Sequence, residues 1–305
     1  MKRFCDTLWA GLISLIATFL TLAPVSAAQQ SFATPEATAK ALVVAVARDD
    51  SAALSALLGE DYADLLPSDA DRADPVDEFL AAWMAFDTLQ STSPDTRMLA
   101  VGEHGWTLPI PIVRGDQGWH FDTERGRILI RMRRIGANEL STIQAVLAYH
   151  DAQVEYAQLD RDGDGVLEYA QRFRSTPGTR DGLYWDSESA GDVSPLGPLL
   201  AEREPGTAYH GYFYRILTGQ GANAPGGAED YVERGNMTGG FGIVAWPAEY
   251  GDSGVMSFMM GRDGTVYEAD LGPEGGEYAA GIATFDPDAR WTPSLDAFDD
   301  VVDLR

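Results

Sequence analysis

The residues whose types and spacing could do chemistry lie in the run DRDGDGVLEYAQ, positions 160–171. Asp160, Asp162 and Asp164 alternate, and Gly165 follows at the sixth position of the run. A tight turn brings alternate side chains round one centre, and a glycine at the sixth position lets the chain bend sharply. That is the first half of a calcium loop of the EF-hand kind. Val166 would lend its carbonyl oxygen, Leu167 fills the position that is usually apolar, and Glu168 falls ninth. The twelfth residue is Gln171, where the motif asks for a bidentate glutamate. The expected ligands are therefore Asp160, Asp162, Asp164, Val166 and Glu168. The expected ion is Ca²⁺, bound weakly, at about 10⁻⁴ M or poorer, as in extracellular modules. The competing reading is a solvated Asp-Gly turn whose side chains cap backbone amides.

A catalytic set is harder to find, and none is assigned. The chain has no HExxH, no GxSxG, no phosphate-binding glycine loop and no cysteine pair. Asp181 and Asp186 flank Gly182-Leu183-Tyr184-Trp185, and a glycan hydrolase could use such carboxylates, or Glu168, beside an aromatic platform. The simpler role for Leu183, Tyr184 and Trp185 is to anchor a long loop onto a sheet. His104, His120 and His210 are scattered along the chain, and His150 interrupts an apolar helical stripe, as a core-edge histidine does.

The acidic loop needs elements on both sides to hold it. The run NELSTIQAVLAYHDAQVEYAQL, from Asn138, is helical in pattern, with Leu140, Ile143, Leu147, His150 and Val154 on one stripe. VLEYAQRFR then reads as a second helix beyond the loop. Before Asn138, ERGRILIRMRRI forms a connecting helix over residues 124–137 that Gly136 ends and after which Asn138 caps the next. Its five arginines, Arg125, Arg127, Arg131, Arg133 and Arg134, either dock an acidic partner or lipid head group or pair with carboxylates of the parts they join.

Upstream, Thr34 caps a helix that opens at Pro35, Ser51 to Leu58 forms a second, and a third runs from Pro75 to about Leu89. Strands follow at Arg97 to Val101, Trp106 to Val113 and Gly118 to Asp122, the last two joined by a Gly115-Asp116-Gln117-Gly118 hairpin turn. Downstream of the loop, strands are expected at Tyr209 to Leu217, Gly240 to Trp246, Gly254 to Met260 and Thr265 to Leu271, with a type I′ turn at Asp263-Gly264. His210, Tyr212, Tyr214 and Ile216 share one face of the first of these. Residues 273–305 read as a loosely held acidic tail.

The amino terminus has the order of a secretory signal peptide: Lys2 and Arg3, an apolar run from Leu8 to Leu22, Pro24, then small residues ahead of a cleavage site near Ala27. The apolar run is short for a bilayer span. Removing that segment takes the only cysteine, Cys5, with it, so disulfides, thiolate nucleophiles and cysteine-ligated metals are excluded. It also leaves 20 basic against 46 acidic residues, a net charge of −26. Such a field repels nucleic acid and attracts cations.

Three resemblances can be read from these runs. ATAKALVVAVARDDSAALSALLGEDY followed by WTLPIPIVRGDQGWHFD resembles the cone-shaped domains of the nuclear-transport-factor-2-like (NTF2-like) superfamily, which implies curved strands over helices and a pocket fit for a small-molecule carrier. IQAVLAYHDAQVEYAQ, the acidic loop and AWPAEYGDSGVMSF with TVYEADLG resemble the globular part of type IV pilins and pseudopilins, a helix packed on an antiparallel meander. RRIGANELSTIQAVLAYHDAQVEYA, DRDGDGVLEYAQRFRSTPGTRDGLYW, YHGYFYRILTGQG and GGFGIVAWPAEYGDSGVMSF together resemble a bacterial exported family catalogued as domain of unknown function 2950. That family brings no activity with it.

The chain is thus expected to be an α+β protein. It comprises a signal peptide over 1–27, an NTF2-like domain over 28–123, the connecting helix over 124–137, a pilin-like domain over 138–272 and the tail over 273–305. The expected function is that of a non-catalytic binding or assembly module, periplasmic or secreted, with an envelope protein or glycan as partner and no stable membrane anchor after cleavage. A glycan hydrolase and a small-molecule carrier are the alternatives.

Overall fold

The computed structural model describes residues 29–65, 73–186, 192–197 and 206–294, so the signal-peptide segment lies outside the described residues. The fold is α+β, and its sheets are antiparallel throughout. Two compact units divide after Gly126.

In the first unit α1 (Pro35–Ala47) and α2 (Ser51–Leu58) begin where short polar side chains can take up their open amides. Thr34 Oγ1 accepts from the Ala37 amide at 3.2 Å and Asp50 Oδ1 from the Ala53 amide at 3.0 Å. Gly59, at φ +94°, closes α2. The third helix, α3 (Ala73–Ala85), stops four residues short of the expected Leu89, because the chain turns there into an unforeseen strand, β1 (Asp87–Ser93). β1 pairs with β2 (Thr96–Val101), and β2 pairs in turn with β3 (Trp106–Thr107) and β4 (Ile112–Gly115), the last of which pairs with β5 (Gly118–Phe121). The expected continuous strand over Trp106 to Val113 is split into β3 and β4 around Leu108-Pro109-Ile110-Pro111, where two prolines remove ladder donors.

The connecting helix and the central helix are one. α4 runs unbroken from Thr123 to Tyr156, so Gly136 does not end a helix and Asn138 does not cap one. An internal glycine costs about 1 kcal/mol against alanine, which tertiary packing overrides, and Asn138 spends its amide on the Ser253 carbonyl at 2.8 Å. Arg131 and Arg134 pair with Asp252, as the paired-carboxylate reading of the arginines expects. The buried face of α4 is rotated from the expected stripe: Thr142, Ile143, Val146, Tyr149, Gln153 and Tyr156 are buried, whereas Leu140 and Val154 are about half exposed. The reason is chemical, since Tyr149, Gln153 and Tyr156 all have hydrogen-bond partners inside, which lets polar groups take the core side.

That face packs on a five-stranded sheet of β6 (Tyr212–Leu217), β11 (Gly242–Pro247), β12 (Met256–Gly261), β13 (Val266–Asp270) and β14 (Thr292–Pro293), ordered β14-β13-β12-β11-β6. Tyr212, Tyr214 and Ile216 share the face toward the helix core, but His210 sits before the strand at φ +48° and is exposed. Every residue of β11 is buried: Ile243 and Ala245 join the helix-side core, while Val244 and Trp246 join a second core on the opposite face. Covering that second face are α5 (Gly275–Gly281) and the buried Phe285 and Trp291. Residues 273–294 are therefore part of the fold and not a loose tail. Their apolar side chains bury a sheet face that an acidic composition had concealed. At Asp263-Gly264 the chain does reverse, but only Gly264 has positive φ (+76°), so the turn is not type I′. Two small ribbons complete the unit: β7 (Gly219–Gln220) with β8 (Glu229–Asp230), and β9 (Val232–Glu233) with β10 (Asn236–Met237). Among the described residues no helix is long and apolar enough to cross a membrane.

Candidate metal centre

The acidic loop leaves the carboxyl end of α4. It is fixed first by its own backbone. Asp160 accepts from the Gly163 amide at 2.7 Å through Oδ1 and from the Gly165 amide at 3.0 Å through Oδ2. Asp162 accepts from the Asp164 amide at 3.2 Å, and Asp164 from the Val166 amide at 2.8 Å. Gly163 and Gly165 lie at φ +84° and +87°, a region that side chains with a Cβ enter at a cost, so both glycines are required by the path of the loop. The outcome is that Asp160, Asp162 and Asp164 each offer one carboxylate oxygen, all within 4.8 Å of one another and all on exposed residues. Two oxygens bound to one Ca²⁺ at 2.3–2.6 Å can stand at most about 5 Å apart, so this triad spans what a single calcium ion can bridge.

Beyond Gly165 the expected second helix does not form. Residues 166–174 form no helix: the Tyr169 amide donates to the Met237 carbonyl at 2.8 Å, the chain bends over residues 171–173, and Arg174 bridges Tyr184. The buried Gln153 explains why. Its Oε1 accepts from the Ala170 amide and its Nε2 donates to the Ala170 carbonyl, both at 2.8 Å, so both backbone groups of Ala170 bond to a side chain instead of a helical ladder. Gln153 Nε2 also donates to the Tyr149 hydroxyl at 2.9 Å, and that hydroxyl donates to the Gly242 carbonyl at 3.1 Å. The chain just beyond the loop is thus tied to α4, which is tied in turn to β11.

A wall that the sequence reading missed comes from the β9–β10 hairpin, whose turn places Arg234 at φ +54° and Gly235 at φ +100°. Asn236 Nδ2 donates to Asp164 Oδ2 at 2.5 Å, the Met237 amide donates to Glu168 Oε2 at 3.1 Å, and Gln171 Nε2 donates to the Gly235 carbonyl at 2.6 Å. Gln171, at the motif's glutamate position, is committed to the hairpin. Asn236 adds a side-chain amide from the hairpin to the triad. Its signal in the sequence is the Arg234-Gly235-Asn236 turn between Tyr231-Val232 and Met237.

The electrostatics follow from these contacts. The Gly163 and Gly165 amides hold the Asp160 carboxyl below the ordinary aspartate range. Glu168 is pushed the other way, first by its partial burial and then by the charges of Asp162, Asp164 and Asp160, against the pull of the Met237 amide. The three carboxylates that add to the effect of burial at Glu168 would by the same field favour a cation.

Asp181 and Asp186 are each committed to partners of their own. Asp181 accepts from the Thr176 amide and hydroxyl and from the Thr179 hydroxyl, and pairs with Arg172 at 3.3 Å. Although partial burial pushes its carboxyl up, these bonds bring it below the ordinary range. Asp186 accepts from Arg174 at 2.7 Å and from the Tyr184 hydroxyl at 2.9 Å. Leu183 and Trp185 are buried in the helix-side core, which is the anchoring role expected of them. His150 lies against Phe241 at 5.3 Å between ring centroids, at the edge of that core.

A family profile described as "Protein of unknown function (DUF2950)" matches residues 29–293. The chain belongs to the DUF2950 family. The match covers both units, the acidic loop and the segment around α5 that closes the second core. Comparison with curated proteins and with solved structures gives no match.

Proposed function

We propose that this DUF2950 protein is an exported, non-catalytic module of the bacterial cell envelope, binding or assembling with an envelope protein or glycan, and that Ca²⁺ at the 160–168 loop stabilises its second unit. The observation that carries the reading is the convergence of the Asp160, Asp162 and Asp164 oxygens on a loop clamped to α4 by Gln153 and to a hairpin by Asn236 and Met237. Asp160, Asp162 and Asp164 would supply carboxylate oxygens, Val166 its carbonyl, and Glu168 a fourth carboxylate. An ion there would join the end of α4 to the β9–β10 hairpin and so order the loop. Export is supported by the leader-like first residues and by a family match that opens at residue 29, just beyond Ala27. The pilin-like reading is supported by a long helix packed on an antiparallel sheet, and the NTF2-like reading by α1 to α3 together with a five-stranded antiparallel sheet in one unit.

The test is thermal unfolding in millimolar Ca²⁺ against chelator, for the parent and for Asp162→Ala. Calcium raises the midpoint of the parent and leaves that of the variant unmoved. A parent midpoint that ignores calcium removes the proposal.

A further inference from the structure

The two edges of the first unit's sheet are treated differently. On the β5 side the edge is closed: the Phe32 amide donates to the Trp119 carbonyl at 2.8 Å, the Trp119 amide returns a bond to the Phe32 carbonyl at 2.7 Å, and a Cβ on Gly118 would collide with that same carbonyl. On the other side, β1 pairs with β2 alone among the described residues. An open edge is ordinarily blunted by lysine, proline or inward-pointing charge. β1 reads DTLQSTS, with no lysine, no proline and one charge, at its first residue. Beside it Met84 is 86% exposed and Phe86 52% exposed. The whole stretch from Phe79 to Ser93 carries the single charge of Asp87, in a chain whose net charge is −25 and of which 23% is charged.

We propose that β1 is a self-association edge, along which two copies of this chain pair antiparallel and join their sheets. The occupant follows from the charge. Two strongly acidic copies repel wherever acidic surface meets acidic surface, and a basic partner would be drawn to that acidic surface before this neutral edge. An uncharged strand edge is a surface that two such copies can share without setting acid against acid. The irregularity between Ser91 and Ser93 confines regular pairing to Asp87–Ser91. A dyad at Leu89 then sets Thr88 against Gln90 of the partner subunit and Asp87 against Ser91 of the partner subunit, so that no two acids face each other. Met84 and Phe86 lie just before the paired segment, where their apolar surface borders the joint.

The experiment is sedimentation velocity on the chain without its predicted leader, from about 1 µM to about 100 µM, where association is concentration-dependent. The parent shifts from monomer to dimer as concentration rises. Thr88→Glu with Gln90→Glu sets glutamates opposite each other twice and weakens association about tenfold or more. Thr88→Lys with Gln90→Glu sets opposite charges face to face and restores it, which a general loss of folding would not do; unchanged thermal midpoints confirm that both variants fold. A parent that stays monomeric throughout, a double glutamate variant that dimerises as well as the parent, or a lysine–glutamate variant as weak as the double glutamate overturns the proposal.

Discussion

Replacing Gln153 with leucine tests how the acidic loop is held. The side chain is fully buried, and its amide makes three bonds: to the Tyr149 hydroxyl at 2.9 Å, to the Ala170 carbonyl at 2.8 Å, and from the Ala170 amide at 2.8 Å. Leucine keeps the approximate volume and removes all three. Ala170 is 1% exposed, so its amide and carbonyl are left without solvent to replace the lost partner. At about 1–3 kcal/mol for each buried group left unpaired, and with some return from the more apolar side chain, the loss is about 2–5 kcal/mol. For a unit of this size each kcal/mol moves the midpoint by about 2–4 °C, so Gln153→Leu lowers it by about 4–20 °C. Circular dichroism with heating measures the shift, and hydrogen exchange at the Ala170 amide localises it. If the midpoint moves by less than about 1 °C and that amide exchanges no faster, Gln153 is not the clamp described here and the reasoning fails.

Two further predictions follow from the same contacts. Because burial and three neighbouring carboxylates raise the Glu168 pKa in the folded protein, ionising it costs the calcium-free unit stability as pH rises through that titration, and proton and ion compete at the site. The gain in midpoint from calcium therefore shrinks as pH is lowered from about 7 to about 4, and a gain independent of pH would contradict the placement of Glu168 at the site. A Cβ at Gly182 would stand 2.7 Å from the Arg174 carbonyl carbon and the Ser175 nitrogen. Gly182→Ala accordingly destabilises the second unit by about 1–3 kcal/mol, read from urea unfolding, and an unchanged midpoint would show that the chain around Gly182 can relax without cost.

Where the sequence was legible, the reason was local. Thr34, Asp50 and Gly59 mark helix ends through contacts made within a few residues, and the β11, β12 and β13 strands announce themselves by β-branched, aromatic and methionine runs between glycine turns. The acidic triad was legible for the same reason, since its geometry is set by amides inside the loop. What escaped was decided at a distance. VLEYAQRFR carries a helical composition, but Gln153, seventeen residues before Ala170, takes both backbone groups of Ala170 and keeps the segment out of a helix. The hairpin that supplies Asn236 comes from seventy-two residues beyond Asp164. Glycine at 136 reads as a stop because glycine usually is one, yet α4 continues through it, held on either side by the Arg134 pair with Asp252 and the Asn138 bond to the Ser253 carbonyl. Residues 273–294 read as a tail in sequence because Phe285 and Trp291 are isolated among acidic and turn-forming residues, and their burial depends on the sheet face they cover.

The claim on which the account rests is that the 160–168 loop takes up a divalent ion, and calorimetric titration of calcium into the chelator-treated protein tests it most directly. The account predicts saturable binding of one ion, with a dissociation constant of about 10⁻⁴ to 10⁻³ M, that Asp162→Ala abolishes. No heat of binding up to about 10 mM, or equal binding by parent and Asp162→Ala, would contradict it.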